Sequence, residues 1–223
     1  MKKFIDTQKL SKFNLFTYFF LISFVCWGLN ISFNLNSLEG ILKSHWQILD
    51  LPTLYSEPFE SILFLHSQPP LLNIVIFLMD FIKGHIYDNF VILNSILIGA
   101  IASLILKILF DITKRLFMSM ILSFCYVIFP TTLLNVGYPF YQCISAFGYM
   151  LLIYSFHLTN YDKSRAYIYF FFSCLLLSLT RSSFTILHTL SFIIIFYYYI
   201  FSLKLPSKKF LMTIFFTFIF SII

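Results

Sequence analysis

The sequence predicts an all-α protein, built as a polytopic bundle of transmembrane helices. Of its residues, 60% are hydrophobic and only 11% are charged, and the mean hydropathy is +0.89. That composition leaves too little polar surface to cover a water-soluble globule. The charges are bunched, and the apolar runs between them lack the polar/apolar alternation of a membrane barrel. Because a backbone in lipid must pair its own amides, these runs are expected to be helices.

The length of each uncharged run indicates how often it crosses. About 20 apolar residues span a hydrocarbon core about 30 Å thick. The longest run, Leu116–Tyr161, is long enough for two crossings, with Pro130, Gly137 and Pro139 marking a turn near its middle. The runs predict about seven spanning helices, near 13–34, 89–110, 116–135, 140–158, 166–181, 184–203 and 210–223.

The two ends of the sequence each raise a question about processing. Lysines precede the first apolar run, as in a signal peptide, but the run is long and lacks a small-residue cleavage site, which favours a retained first helix. The last run ends without a polar flank, so we expect the front part of a longer protein. Residues 1–223 are therefore predicted as one membrane domain, with an outer loop at 35–88 and a helical bundle at 89–223 that is incomplete at its C-terminus.

The distribution of basic residues orients the helices, because lysine and arginine collect on the cytoplasmic side. With the N-terminus inside and one crossing between the 39–65 loop and Lys107, twelve of the fifteen basic residues lie inside. Two crossings there would place nine outside. The apolar segment 69–82 then does not span, since about 14 residues cover only ~21 Å. We expect it to lie along the outer interface as a juxtamembrane helix.

Several functions are excluded or left without support. The net charge of +6 is explained by cytoplasmic loops that face anionic lipid, so no nucleic-acid partner is predicted. The sequence has no internal repeat, phosphate-binding glycine loop or HExxH motif. The cysteines fall within predicted helices without CxxC spacing and are expected to be small packing residues: Cys26, Cys125, Cys143 and Cys174.

The outer loop 39–88 is the region where chemistry is expected, since it holds six of the nine acidic residues. A carboxylate held near a membrane surface and partly desolvated can act as a general base toward an acceptor hydroxyl. The alternative is a solvated loop whose acids are surface charges only. From composition alone, both interpretations stay open.

One motif at the end of the acidic stretch resembles a known family. The string His66-Ser67-Gln68-Pro69-Pro70-Leu71 looks like a signature of the GT-C fold polytopic glycosyltransferases, relatives of the protein O-mannosyltransferases and the aminoarabinose lipid A transferases. Members typically have a lysine- or histidine-containing x-Pro-Pro-Leu segment in a first outer loop built of juxtamembrane helices. The later segment Leu177–Phe184 is similar to an arginine motif of bacterial members, so the resemblance covers roughly residues 13–190.

The resemblance implies transfer of a hexose or pentose from a polyprenyl-phosphate carrier, with inversion at the anomeric carbon. The acceptor would be a glycan, lipid or protein at the outer face of a bacterial inner membrane. A first-loop acid would deprotonate it; Asp50 is the leading candidate because of its distance from the Pro-Pro motif, followed by Glu57 and Glu60. The family usually has an Asp-Glu pair close behind the first helix, and this chain has none. No acid occurs in the second outer loop near Asn135–Pro139, so a divalent metal is unsupported and no cofactor is assigned.

Three residues are candidates for holding the donor phosphate. Arg181 lies between two apolar helices at the predicted outer boundary, where an arginine is costly unless it reaches water or an anion. Its planar guanidinium suits bidentate contact with a phosphate, although a snorkelling anchor is the alternative. Gln68 and His66 would assist it, and His66 is equally open as a structural donor. Together they would stabilise the charge of the leaving group.

Two other classes of function stay open. A transporter needs polar or broken helices near the middle of the membrane, for which the candidate set is Asn94, Ser95, Gln142, Ser145 and His157. A non-catalytic membrane scaffold, or an inactive glycosyltransferase fragment, is the other alternative.

Overall fold

The computed structural model describes residues 2–32, 56–57, 70–138, 141–180 and 186–201. In these ranges all regular secondary structure is helical, with eight helices and no strand. The predicted all-α class is confirmed for this part of the chain. The helices are α1 (Lys2–Ser32), α2 (Pro70–Phe81), α3 (Ile86–Thr113), α4 (Leu116–Val127), α5 (Pro130–Val136), α6 (Gln142–Leu158), α7 (Lys163–Thr180) and α8 (Ile186–Phe201).

Two helices are long and apolar enough to cross a membrane. They are α1, over Leu15–Ser32, and α3, over its full length, and the bent pair α4–α5 makes a third if it counts as one span. Helices α2 and α6 are apolar but shorter, with 12 and 17 residues. The described ranges therefore supply two or three candidate spans, and the predicted number of about seven is not confirmed there. The predicted helix 210–223 lies outside the described residues.

The helix expected near 116–135 is broken. Its two parts, α4 and α5, are bent by 63° at the break. Pro130 is the first residue of α5, where its fixed φ suits a helix start and its missing N–H costs nothing. The carbonyl of Phe129 accepts hydrogen bonds from the N–H groups of Thr132 (2.9 Å) and Leu133 (3.2 Å). The proline thus starts a new helix and adds a break inside the predicted span, while α5 ends at Val136, close to the predicted end at 135.

The chain divides into two compact units. The first contains Met1–Leu42 and Met79–Cys143, and the second contains Lys43–Leu78 and Ile144–Ile223. The boundaries fall within α2 and within α6. The single domain expected over residues 1–223 stays a prediction.

The first unit is built on a close contact between α1 and α3. A Cβ added at Gly99 in α3 would overlap the hydroxyl oxygen of Ser23 and lie 2.9 Å from the carbonyl oxygen of Phe19. Only glycine lets the two backbones approach this far, as in the small-residue contacts of membrane helices. A stripe of α1 at four-residue spacing packs into the same core, namely Tyr18, Ile22 and Cys26, with Ile98, Ala102 and Leu106 of α3 and Val127 and Val136 beyond it.

Hydrogen bonds to backbone carbonyls show that α1 and α3 are antiparallel. The Ser123 hydroxyl of α4 donates to Ala102 O at 2.6 Å, and the Tyr18 hydroxyl donates to Met120 O at 3.3 Å. Tyr18 is therefore near the later part of α3, whereas Ser23 is at Gly99. Moving toward the C-terminus of α1 thus means moving toward the N-terminus of α3.

A two-residue turn joins α3 to α4. Lys114 ends α3 in the left-handed conformation, with φ of 57°, and its N–H donates to Phe110 O at 2.8 Å. Arg115 follows as the N-cap of α4, and both side chains are exposed. The turn therefore places two positive charges together between two apolar helices.

The second unit has an aromatic core. Phe170 of α7 and Phe196 of α8 stack with ring centroids 4.0 Å apart, and Cys174 and Ile193 pack in the same cluster. The Ser173 hydroxyl donates to Gly148 O of α6 at 2.8 Å. Between α6 and α7, the Asp162 carboxylate accepts the Arg165 N–H at 3.1 Å, which caps the start of α7.

The Gly99 contact gives a stability prediction. We expect Gly99→Ala to lower the free energy of unfolding by about 1–3 kcal/mol, because backbone and side chain of α1 must shift. Gly28→Ala is the matched control, since a Cβ there meets nothing within 4 Å, and it should be neutral or stabilise by up to about 1 kcal/mol. Thermal unfolding of the full chain in detergent measures both. Adding Ser23→Gly should recover part of the loss, and equal effects of the two alanines would contradict the close contact.

Candidate functional site

Most of the residues predicted for the catalytic site lie outside the described ranges. They are Asp50, Glu60, His66, Gln68 and Arg181. Glu57 is described, and its side chain is exposed, as is that of its neighbour Ser56. An exposed carboxylate is available to a substrate and to water alike, so the catalytic and phosphate-binding assignments stay predictions.

Helix α2 begins inside the Pro-Pro-Leu motif. Its first residue is Pro70, and its 12 residues extend only about 18 Å at 1.5 Å per residue. The predicted short helix at 69–82 is present, while its place at the outer interface stays a prediction. The side-chain amide nitrogen of Asn89 donates to Met79 O (2.8 Å) and Ile82 O (3.1 Å). Asn89 thereby ties the end of α2 to the start of α3.

A second asparagine of α3 holds the end of α5. The amide nitrogen of Asn94 lies 3.3 Å from Asn135 O, 3.0 Å from Val136 O and 3.1 Å from Tyr138 O. The last carbonyls of a helix lack partners within the helix, and here a side chain supplies the donor. The Cys143 thiol also contacts Asn135 O, at 3.4 Å. Several carbonyl oxygens therefore converge where α5 ends.

Besides Ser103 of α3, four side chains of the first unit have buried polar atoms without a hydrogen-bond partner in the part of the chain that the structure describes. We call them the polar cluster: Asn30 (both amide atoms), Asn94 (Oδ1), Ser95 (Oγ) and Gln142 (Oε1). Asn30 and Asn94 are each 1% exposed, and Ser95 is 2% exposed. Buried polar atoms are normally hydrogen-bonded, so this set requires an explanation.

The register of α1 and α3 brings the members of the cluster to one end of the unit. Asn30 follows Ser23 by seven residues, or about 10.5 Å, and Asn94 precedes Gly99 by five, or about 7.5 Å. Because the helices are antiparallel and Ser23 meets Gly99, Asn30 and Asn94 lie within about one helical turn of the same level. Gln142 directly precedes Cys143, which shares the Asn135 carbonyl with Asn94.

The sequence identified three of the four members as transporter candidates and missed Asn30. A signal for Asn30 was present, because it continues the four-residue spacing of the buried stripe Tyr18, Ile22, Cys26. A polar residue at the next position of an apolar stripe is expected to be buried.

The two other transporter candidates belong to the second unit. The hydroxyl of Ser145 is buried and lacks a hydrogen-bond partner among the described residues. His157, at the end of α6, has its ring 5.2 Å from Tyr161 and 6.2 Å from Tyr154, centroid to centroid. Ser145 therefore shares the property of the polar cluster, whereas His157 has aromatic contacts.

Metal-ligating residues do not group together in the described ranges, which contain no set of three or more His, Cys, Asp or Glu side chains able to hold a metal ion. Three of the cysteines, Cys26, Cys143 and Cys174, are buried in the two cores, as predicted for packing residues. Cys125 differs, since it is exposed on the surface of α4.

Comparison of the chain with protein-family models, with curated proteins and with solved structures finds no match in any of the three. The interpretation of function therefore depends on the sequence motif and on the geometry described above.

The contacts of Asn94 lead to a prediction. We expect Asn94→Leu to lower the free energy of unfolding by about 1–3 kcal/mol, because buried carbonyls at the end of α5 lose their donor. Asn94→Asp should be at least as damaging, since a carboxylate would face the carbonyl oxygens. Asn135→Ala is the control, because Asn135 takes part through its main-chain carbonyl, which the substitution keeps. Chemical unfolding of the detergent-solubilised chain measures all three, and a stable Asn94→Leu protein would contradict the clamp.

Proposed function

We propose that the chain is a multi-pass membrane glycosyltransferase of the GT-C type, which moves a sugar from a polyprenyl-phosphate donor to an acceptor at the outer face of a bacterial inner membrane. The observation that carries this proposal is the string His66-Ser67-Gln68-Pro69-Pro70-Leu71, which leads into α2. A helix of 12 residues is too short to span. The motif and the short helix together have the form of the family's first outer loop.

The residues have complementary roles in the proposed reaction. Asp50, or Glu57 or Glu60 in its place, takes the proton of the acceptor hydroxyl as a general base. The acceptor oxygen then bonds to the anomeric carbon from the face opposite the phosphate, and the bond from that carbon to the phosphate oxygen breaks. The departing phosphate keeps the electron pair. Arg181, with His66 and Gln68, stabilises its charge.

Charges in the described turns support the proposed orientation. The exposed Lys114 and Arg115 follow α3, and the first turn of α7, just after the connection from α6, carries Lys163 and Arg165. With the N-terminus inside and one crossing by α3, both turns are cytoplasmic, where basic residues are favoured. Glu57 is then outside, on the side of the proposed reaction.

A transporter is the second candidate, and a specific observation favours it. Asn94, Ser95, Gln142 and Ser145 each have a buried side-chain oxygen without a partner in the described ranges. The bent pair α4–α5 also resembles the discontinuous helices that form binding sites in transporters. A non-catalytic scaffold or inactive fragment would show neither sugar transfer nor transport.

The orientation predicts the accessibility of single cysteines. In a Cys125→Ser background, we expect a membrane-impermeant maleimide to label Glu57→Cys in intact cells, because this exposed position is outside. Arg115→Cys and Arg165→Cys, also exposed, should react only after permeabilisation. Labelling of positions 57 and 115 from the same side would contradict a single crossing by α3.

The catalytic roles predict a loss of sugar transfer. We expect Asp50→Asn and Arg181→Ala each to reduce transfer from radiolabelled polyprenyl-phosphate sugars by about 100-fold or more, because the general base or the phosphate contact is lost. Transfer is measured in membranes with matched expression of each variant.

Asp162→Asn and Arg165→Ala are the matched controls. These residues form an exposed ion pair (3.0 Å) in a cytoplasmic turn, and such pairs contribute about 0–1 kcal/mol to stability, so transfer should be unchanged. If membranes containing the Asp50→Asn variant transfer sugar as well as wild-type membranes do, the proposed role of Asp50 is contradicted. No transfer from any donor, combined with substrate uptake that Gln142→Ala abolishes, would support the transporter instead.

A further inference from the structure

We infer that the polar cluster of the first unit binds an alkali-metal cation, sodium or potassium, through the side-chain oxygens of Asn30, Asn94, Ser95 and Gln142. The inference does not depend on glycosyl transfer, because no residue of the proposed catalytic site belongs to the cluster. Its basis is the set of buried oxygens without partners, together with their placement at the end of α5.

Leaving these buried atoms without a hydrogen bond destabilises the folded protein. A buried polar atom without a hydrogen bond costs about 1–3 kcal/mol, and four side chains of the cluster contain such atoms. Other buried polar groups of the same unit are paired, as the Ser123 hydroxyl is with Ala102 O and the Asn89 amide with Met79 O, and Ser103 is the exception among its described residues. Apart from Ser103 Oγ, the unpaired side-chain atoms in the described part of this unit therefore all belong to the cluster.

Most of the unpaired atoms of the polar cluster are hydrogen-bond acceptors. Asn30 Oδ1, Asn94 Oδ1 and Gln142 Oε1 are amide carbonyl oxygens, which accept but do not donate. One water molecule donates only two hydrogen bonds, so a single water cannot satisfy three such acceptors and also the Ser95 oxygen. A cation contacts several oxygens at once. Asn30 Nδ2 is the one unpaired amide donor of the set, so acceptors remain in excess, which favours a cation over a water molecule.

The side-chain oxygen of Asn94 is held in a fixed orientation before any ion binds. The amide nitrogen of Asn94 is anchored against the carbonyls of Asn135, Val136 and Tyr138. Because an amide is planar, this anchoring fixes the direction of Asn94 Oδ1, which has no partner among the described residues. The converging carbonyls also carry partial negative charge at this end of α5.

The side chains of the cluster also limit the charge of the ion. All four side chains are neutral amides or a hydroxyl, so the cluster supplies no carboxylate to offset a double charge. Calcium and magnesium sites in proteins are built around carboxylates. A neutral set of oxygens in an apolar core is therefore suited to a single positive charge, since a buried charge is costly in proportion to how little of it is compensated.

The test compares the thermal unfolding midpoint of the purified full chain in sodium, potassium and choline chloride at constant ionic strength. We expect sodium or potassium, but not choline, to raise the midpoint by about 2–4 °C or more in a saturable manner, because an ion that binds only the folded state stabilises it. Equilibrium binding of the radioactive form of the same ion should saturate over the same concentration range.

Variants separate the cluster from other sites. Ser95→Ala and Asn30→Leu should raise the concentration for half-maximal stabilisation by about tenfold or more, as expected when one ligand oxygen is lost. Ser103→Ala and Asn89→Leu are the matched controls on α3. Ser103 also has a buried hydroxyl without a partner in the described ranges, but it lies eight residues from Ser95, and Asn89 is paired. Both controls should keep the wild-type ion dependence.

Three results would overturn the inference. The first is a wild-type midpoint that is the same in all three salts. The second is an ion dependence that Ser95→Ala and Asn30→Leu leave unchanged, which would place the ion elsewhere. The third is an Asn30→Leu protein that is more stable than wild type in every salt, because the cluster would then be a polar defect without a ligand. If Asn30→Leu fails to fold, the smaller change Ser95→Ala decides the question.

Discussion

The contact between Gly99 and the backbone of α1 is the constraint on which the first unit depends. Two helices approach this closely only where one of them lacks a side chain, and the approach fixes their register as well as their distance. Once Ser23 is opposite Gly99, the stripe Tyr18, Ile22, Cys26 meets the apolar face of α3. The same register carries Asn30 to the level of Asn94. The close packing of α1 against Gly99 thereby determines where the polar side chains of the unit lie.

Polar residues in this unit act mainly on backbone carbonyls. Ser123 donates to α3, Tyr18 donates to α4, and Asn89 donates to the end of α2. Each of these hydrogen bonds joins two segments of the chain. They fix the relative position of the segments, which non-directional apolar contacts alone specify poorly. The side-chain nitrogen of Asn94 likewise donates to a carbonyl at the end of α5, whereas its side-chain oxygen has no hydrogen-bond partner among the described residues. The difference between the two atoms of one side chain separates the structural role from the binding role.

The sequence predicted the helices best where a single physical cause operates. Long uncharged runs predicted α3, α6, α7 and α8 within a few residues, because an apolar run without helix breakers has no other way to pair its backbone, whereas α1 begins eleven residues before its predicted start. The predicted end near 135 agrees with the end of α5 at Val136, but the additional break before Pro130 was not predicted, because Pro130, Gly137 and Pro139 were interpreted as one turn. The partners of Asn94 are residues about forty positions away. No local pattern contains such a contact, so this part of the candidate site required the fold.

Catalytic residues were predicted from a motif in the expected outer loop, where the sequence has no long apolar periodicity to predict structure from. Polar loops take their shape from specific turns and partners, which a run of acids and prolines does not specify. Glu57, the one such residue that the structure describes, shows its exposure and little more. Composition therefore identifies where chemistry is expected in this protein without arranging the groups that would perform it.

Two requirements conflict at Lys114, the backbone conformation of the turn and the positive charge of the side chain. Its left-handed backbone would be less strained with glycine, by about 1 kcal/mol. Glycine, however, would remove one of the two charges of the turn between α3 and α4. In the proposed orientation, glycine at this position would weaken the cytoplasmic positive charge, so a homologue with glycine here would need a basic residue nearby. Covariation between this turn and its neighbours is the evolutionary trace that such a compromise leaves.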